Sequence, residues 1–306
     1  MKRRKSKNTV KISFAATILV LSLITLIAYS LSFRIPSYDV PSNLPAYGGL
    51  IGNYAPADSL QVSFANYSAV RAINSSAVLN EQLLDLVTPS IVVHLDSVQA
   101  VVVVTILNTA QNINNTGTAA VLDRGAYSNL SRALTSSTLA PTAVGSYDFY
   151  RVNDSSNGRT KTEWLTLVPS GSSVLFAEGG SDAMAVVERM LNVWDGTAPS
   201  ILTVQNVTRM LYPVGGTTHL ALSIQNFTGA VQTGQRGVLA VDVANGAVQL
   251  TNIVQFASSS YASSQVSEMK GVYKFSSDFS QYAENLKAVQ SLSMTNLEQA
   301  VELTGV

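Results

Sequence analysis

An uncharged apolar run lies near the start of the chain, from Ile12 to Phe33 (ISFAATILVLSLITLIAYSLSF). About 20 residues at 1.5 Å per residue cover a hydrocarbon core about 30 Å thick, so the run predicts a transmembrane helix over 12–33. Six basic residues precede it, and only Arg34 follows closely. The positive-inside rule therefore places segment 1–11 in the cytoplasm and the rest of the chain outside. We expect a signal anchor of a single-pass protein of the cell membrane, with the lipid bilayer as its partner.

A cleaved signal peptide is the alternative for the same segment. Ala28-Tyr29-Ser30 offers small residues at the two positions that a signal peptidase reads. The apolar run is longer than a usual signal-peptide core, which favours the anchor. Both alternatives place the folded part outside the cytoplasm.

Residues 34–57 contain four prolines and three glycines without a sustained apolar period. Such a composition predicts an extended, Pro/Gly-rich stalk. The globular part is then expected to begin near Asp58.

Two segments about 160 residues apart share a pattern. Leu60-Gln-Val-Ser-Phe-Ala-Asn66-Tyr-Ser matches Leu220-Ala-Leu-Ser-Ile-Gln-Asn226-Phe-Thr as L-x-[VL]-S-[FI]-x-N-[YF]-[ST]. Apolar residues at every second position are typical of a strand, and the asparagine ends it. The match indicates an internal repeat.

The similarity between the two copies continues downstream of the motif, where each copy has two strand-like runs separated by a short break. Residues 90–107 and 238–256 are each interpreted as two strands, with breaks at Gln99-Ala100 and at the hairpin signal Asn245-Gly246. A helix follows each, over 127–134 and 261–273. The fold class is thus predicted to be α+β, with two related β-α-β-β-α units in halves 58–212 and 213–306.

Further elements lie between and after these units. Residues 145–152, 163–168 and 173–177 predict a β-meander, and a helix begins after Ser181 and ends before Gly196. From 275 onward the spacing predicts C-terminal helices, with Phe279, Tyr282, Leu286 and Val289 on one face and a capping box at Thr295 and Glu298.

The net charge of zero hides a split along the chain. Six of the 19 basic residues lie within the first 11 residues, so everything beyond Lys11 carries about −6. We therefore expect no nucleic-acid partner, because phosphate binding needs clustered Lys and Arg. Neither a phosphate loop nor a dinucleotide fingerprint is present, so no nucleotide partner is expected. Cysteine is absent, which excludes disulfides and thiolate sites.

Ser and Thr are abundant while charged residues make up only 12%, so the surface is expected to be rich in hydroxyl and amide groups. Glycosylation would suit such a surface and requires the exoplasmic side, in agreement with the predicted topology. The sequons N-x-[ST] begin at Asn66, Asn74, Asn114, Asn129, Asn153, Asn206 and Asn226.

A cysteine-free, Ser/Thr/Asn-rich chain with sequons behind a basic anchor resembles archaeal membrane-anchored cell-surface proteins. The resemblance concerns composition and layout, and it implies no activity. Ala55-Pro-Ala-Asp-Ser-Leu60 before one repeat strand, and Tyr212-Pro213 before the other, are similar to the openings of secreted, duplicated α+β proteins of unknown function. That resemblance implies fold and topology only.

Candidate catalytic groups are weak. Ser267-Glu-Met-Lys270 has the S-x-x-K form of penicillin-recognising enzymes but lacks their S-D-N and K-T-G boxes. His94 and Asp96, two apart on a predicted strand, share a face but have no third ligand. We assign no catalytic, cofactor or metal residues.

The sequence thus predicts a non-catalytic, membrane-anchored and glycosylated cell-surface protein with a structural or binding role. One alternative is an extracytoplasmic accessory subunit of a membrane complex, with an envelope or membrane-complex protein as partner. Hydroxyl side chains within 12–33 would suit helix packing in such a complex. The other alternative is an envelope hydrolase.

Overall fold

A computed structural model describes residues 48–73, 95–108, 113–154, 161–211, 214, 219–226, 234–272, 278–282 and 284–304. All of them belong to one compact unit, Tyr38–Val306. Within these ranges, no helix has the length and hydropathy that spanning a bilayer requires. The predicted basic segment 1–11 and transmembrane helix 12–33 lie outside the described residues.

A single antiparallel sheet organises the described residues, which confirms the α+β class. Its strands lie side by side in the order β11-β12-β10-β9-β8-β1-β2-β3-β7-β6-β5-β4. They are β1 (Gln61–Ala65), β2 (Val98–Asn108), β3 (Ile113–Leu122), β4 (Thr142–Val144), β5 (Tyr147–Asp154), β6 (Lys161–Val168), β7 (Ser173–Glu178), β8 (His219–Asn226), β9 (Gly234–Ala244), β10 (Ala247–Phe256), β11 (Asp278–Tyr282) and β12 (Asn285–Leu292).

Helices cover both faces of this sheet. The helices are α1 (Gly48–Tyr54), α2 (Tyr67–Ile73), α3 (Arg124–Ser136), α4 (Ser181–Trp194), α5 (Gln205–Leu211), α6 (Ser259–Val272) and α7 (Leu297–Glu302). Face A, which carries Val62, Phe64 and Val102, packs against α1, α4 and α5. Face B, which carries Ala65 and Val103, packs against α2, α3 and α7.

Burial on both faces explains the composition of the central strands. Val101 to Val104 are all buried, alternately in the core of face B and in that of face A. A strand with one solvated face would show polar residues at every second position. Such alternation is absent over Val101–Val104, because both faces of β2 are covered there.

The two copies of the repeated motif pair with each other. β1 and β8 are antiparallel neighbours, and Ser63 lies directly opposite Ser223, its counterpart in the repeat. The pairing ends symmetrically: Asn66 N donates to Leu220 O at 2.8 Å, and Asn226 N donates to Leu60 O at 2.7 Å. A local twofold axis therefore passes between the two serines.

The strands on either side of this axis follow the same order. Moving outward they are β1-β2-β3-β7-β6 on one side and β8-β9-β10-β12-β11 on the other. Helix α3 follows β3 in the chain as α6 follows β10. The helices after the outer strands differ, because α4 packs on face A and α7 packs on face B. The outer strands β4 and β5 have no counterpart in the described part of the second side.

Several local predictions are confirmed. The meander is β5, β6 and β7, and helix α4 occupies the predicted position before Gly196, whose φ is 69°. The helix begins at Ser181 itself, one residue earlier than predicted, and Gly180 before it makes no side-chain cap. The Asn245-Gly246 turn joins β9 to β10, with φ of 54° and 75° as such tight turns require.

The break predicted at Gln99-Ala100 is wrong. Residues Val98–Asn108 form one strand, and the shift of register between Val98 and Ala100 makes Gln99 a β-bulge. The corresponding hairpin of this half runs from β2 to β3 instead. The polar Gln99 within an apolar run was interpreted as a turn, but the strand accommodates it as one extra residue in a bulge.

The predicted stalk, 34–57, does not extend to residue 57. Residues Gly48–Tyr54 form α1, and Ile51, Tyr54 and Ala55 are fully buried. The Tyr54 ring stacks on Trp194 at the end of α4, with centroids 5.2 Å apart. The glycine and proline content predicted an extended segment, but tertiary packing stabilises a short helix there. Residues 34–47 of the stalk lie outside the described residues.

The prediction of C-terminal helices from residue 275 onward is also wrong in large part. The segment with Phe279, Tyr282, Leu286 and Val289 forms β11 and β12. Among the described residues from 278 onward, only Leu297–Glu302 is α-helical. Helix α7 begins after Asn296 without a side-chain cap, so no capping box forms at Thr295 and Glu298. The apolar spacing of this segment fits either a helix or a strand. The pairing of eight residues of β12 with β10 stabilises the strand.

We predict that Gly117→Ala destabilises the protein by about 1 to 3 kcal/mol, because α4 lies directly over β3 at this position. A Cβ at residue 117 would lie 2.6 Å from Val186 Cγ1 and 2.8 Å from Met190 Sδ. Gly49→Ala in α1 is the control, since a Cβ there meets nothing within 4 Å. Urea unfolding of the full-length protein measures both. Equal stabilities would contradict close packing of α4 on β3.

We predict a loss of stability at alkaline pH that depends on Tyr67. Burial raises the pKa of Tyr67 from 10.0 to about 12. The unfolded chain therefore ionises first, and the stability present below about pH 10 falls between about pH 10 and 12, by about 1 kcal/mol per pH unit. Tyr67→Phe, the residue type of the second repeat at position 227, should reduce this loss. Urea unfolding at several pH values checks it, and an unchanged slope would count against it.

Candidate functional site

A depression on face A, with a volume of about 460 Å³, lies beside helix α4. Its walls come from two segments held together by backbone hydrogen bonds: Ala57 N donates to Pro199 O at 2.9 Å, and Ile201 N donates to Ala55 O at 2.8 Å. The lining residues are Pro56, Ala57, Asp58, Arg189, Asn192, Ala198 and Pro199. We call this depression the Arg189 cleft.

Arg189 also borders a second depression of about 210 Å³, which includes Asn115 and Asp182. Asp182, Arg189 and Asn192 occur at spacings that place them on one side of α4. The guanidinium of Arg189 forms a salt bridge with the carboxylate of Asp58, which is 67% exposed. This pair supplies charge for binding, but no histidine, thiol or second basic group lines either depression.

A third depression, on face B, has a volume of about 200 Å³. It lies over β8, β9 and β10, and its lining residues are Ser223, Gln225, Gly237, Val238, Leu239, Asn252 and Val254. None of these side chains is charged. Ser223 is 1% exposed, and its hydroxyl has no hydrogen-bond partner. We call this depression the Ser223 cavity.

The sequons differ in their accessibility. Asn114, Asn129 and Asn153 are exposed, whereas Asn66, Asn206 and Asn226 are half-buried. Asn74 lies outside the described residues. The three exposed asparagines are therefore the glycosylation candidates that the fold presents to solvent.

Two half-buried sequons use their side chains inside the fold. Asn66 Oδ1 accepts from Ala69 N at 3.0 Å and so caps α2. Asn226 Nδ2 donates to Ser59 O at 2.5 Å, and its Oδ1 accepts from Arg236 Nε at 2.7 Å. A glycan on Asn226 would replace one of the two hydrogens of Nδ2, next to the contact with Ser59.

Arg236 lies at the end of β9, where burial lowers its pKa. Its cross-strand neighbours are Asn226 and Gln255, and Gln255 is paired with Asn285. These polar residues form a row across four strands at one end of the sheet. Gln255 Nε2 donates to Glu284 Oε1 at 3.3 Å. The row is a hydrogen-bonding edge of the core and contains no nucleophile.

Sequence reasoning placed His94 and Asp96 on one face of a strand. Asp96 lies in a 3₁₀ turn, Leu95–Ser97, and not on a strand, so the argument for a shared strand face is wrong. His94 lies outside the described residues. Ser267 and Lys270 both fall within helix α6, one turn apart, but their side chains lie outside what the structure describes.

Over the described parts of the chain, no group of three His, Cys, Asp or Glu side chains is placed to hold a metal ion. The depressions around Arg189 and Ser223 combine amide, hydroxyl and apolar groups. Such linings are suited to binding. Proton transfer would need a group that changes its protonation near neutral pH, and their linings contain no histidine.

Sequence reasoning missed both the Arg189 cleft and the Ser223 cavity. Asp58 and Arg189 are 131 positions apart, and no local signal connects them. Ser223 did carry a signal, because it is one of the identical residues of the repeat. Only the tertiary structure shows that its hydroxyl, unlike that of Ser63, is left without a partner.

Comparison with known proteins gives no family. The chain matches no family model, and no curated protein matches it. Among solved structures, crystal form I of TP0453 is similar with a TM-score of 0.46 and 12% identity, covering 88% of this chain and 98% of that chain. Crystal form III of TP0453 has a TM-score of 0.42 and 11% identity, covering 84% and 98%. At these TM-scores the likeness supports no argument about fold or function.

Proposed function

We propose that the chain is a non-catalytic, membrane-anchored and glycosylated cell-surface protein with a structural or binding role. The observation that carries the proposal is the uncharged segment 12–33 directly behind six basic residues. It anchors the protein with its N-terminus in the cytoplasm. The compact unit that follows then lies on the outer side of the membrane.

The exposed sequons support the glycosylated state. Asn114 and Asn153 lie on strands β3 and β5, and Asn129 lies on helix α3, so a rigid element presents each of them. Only 12% of residues are charged, and sugars would add the hydration that charge does not supply. Archaeal cell-surface proteins, which the composition resembles, share this layout.

The same proposal includes a duplicated architecture, with halves 58–212 and 213–306. Its support is the repeated motif, the pairing of Ser63 with Ser223, and the equal strand order on both sides of the axis. The structural unit is larger than the β-α-β-β-α pattern of the sequence. In the second half it is β8-β9-β10-α6-β11-β12, so each half contributes three inner strands, a helix and two outer strands.

A non-catalytic role agrees with the described depressions. A hydrolase would bring a nucleophile, a base and an orienting group within hydrogen-bond reach of one another. The Arg189 cleft and the Ser223 cavity offer charged, amide and hydroxyl groups without such a set. We therefore propose that these depressions contact a ligand or another protein.

The test is the intact mass of the protein purified from native membranes, followed by glycopeptide mapping. We expect an uncleaved chain heavier than its 32.5 kDa of polypeptide, with glycans on Asn114, Asn129 and Asn153 and none on Asn226. Asn129→Gln should remove the mass of one glycan. This site suits the test because Asn129 is exposed on a helix.

Each other outcome has a defined meaning. An uncleaved but unmodified chain would contradict the glycoprotein proposal and favour an accessory subunit of a membrane complex. Cleavage near Ser30 would make the protein secreted and contradict the anchor. A glycan on Asn226 in folded protein would show that its contacts with Ser59 and Arg236 are not required.

A further inference from the structure

The repeat places two serines in equivalent positions, yet their surroundings differ. Ser63 Oγ donates to Thr304 O at 2.7 Å and lies 3.3 Å from Gln61 Nε2, which donates to it. Ser223 Oγ is equally buried and has no partner. The segment after α7 thus supplies an acceptor to Ser63, while the hydroxyl of Ser223, a residue that lines the Ser223 cavity, stays without a partner.

A buried hydroxyl without a partner destabilises the folded state, because it loses its hydrogen bonds to water without replacement. An alanine at position 223 would avoid this cost and still fit between β1 and β9. Ser223 instead borders a depression together with Gln225 and Asn252, whose side chains are exposed. These groups are placed to be satisfied by a molecule that enters from solvent.

The lining defines the chemistry of that molecule. No charged side chain lines the cavity, so a charged ligand would lose hydration without gaining a counter-charge. A hydroxyl and two primary amides are each both donor and acceptor, which matches the hydroxyl groups of a sugar. Leu239 and Val254 offer an apolar surface to the C–H face of a sugar ring.

The volume limits the size of the ligand. About 200 Å³ is smaller than the roughly 300 to 1,000 Å³ of typical drug-sized pockets, so the cavity accommodates one ring rather than an oligosaccharide. Its open side, bordered by Gln225 and Asn252, allows the ring to be the end of a longer chain.

We propose that the Ser223 cavity binds one uncharged sugar residue, either free or at the end of a glycan, through Ser223, Gln225 and Asn252. The proposal gives a ligand to the binding role of the proposed function and rests on that part of it. It is independent of the anchor and of the protein's own glycans, so the intact mass can contradict those without affecting it.

The experiment is a titration of the full-length protein in a detergent without a sugar headgroup, because alkyl glucosides and maltosides would compete. The probes are glucose, galactose, mannose and N-acetylglucosamine, each as the free sugar and as its methyl glycoside. Saturation-transfer difference NMR measures binding, and we expect saturation at millimolar concentrations. Binding of the methyl glycosides would indicate a glycan end, whereas binding of the free sugars alone would indicate a free sugar as ligand.

The internal repeat provides a matched control. Ser223→Ala should weaken binding about tenfold without lowering the melting temperature, because its hydroxyl makes no contact inside the protein. Ser63→Ala should lower the melting temperature, because Thr304 O loses its donor, and should leave sugar affinity within about twofold. Asn252→Leu, similar in volume, should weaken binding without unfolding the protein.

Three results would overturn the proposal. One is the absence of saturable binding of every probe up to about 100 mM. Another is equal affinity of the wild-type protein and the Ser223→Ala variant. The third is binding of glucuronate or glucosamine as tight as that of glucose, since a charged sugar should bind more weakly in a cavity without counter-charges.

Discussion

The hydrogen bonds between β1 and β8 join parts of the chain about 160 residues apart, and the central sheet depends on them. Closing so long a loop costs conformational entropy, which the pairing of five residues cannot offset alone. The offset comes from the strands that extend the sheet outward, β2 and β3 on one side and β9 and β10 on the other. Their buried side chains make the central pairing part of one cooperative core.

Burial on both faces also determines the register of that pairing. A slip by one residue would move every side chain to the opposite face and bring the wrong helices into contact with it. Phe64 would leave the core under α1 and α4, and Ser63 would enter it. The symmetric bonds at Leu60 and Asn66, with their counterparts at Asn226 and Leu220, hold the register at both ends.

The same burial decides how much of the fold the sequence reveals. Elements specified by local signals, such as the Asn245-Gly246 turn, the meander and helix α4, were predictable because neighbouring residues determine them. Helix α1 was not, since its stability comes from Tyr54 packing on Trp194, 140 positions away in the sequence. Strand β12 was not either, because its apolar spacing fits two structures and only the non-local pairing with β10 selects one.

The two repeat serines show a further limit of sequence reasoning. Ser63 and Ser223 are the same residue in the same motif, and no property of the motif distinguishes them. Their difference arises because the residues following α7 pack over one side of the axis, where Thr304 accepts the hydrogen bond of Ser63. On the other side the equivalent hydroxyl stays unpaired. A repeated strand thus contributes to the core twice, while the asymmetric packing of a segment outside the motif leaves one of its two serine hydroxyls without a partner.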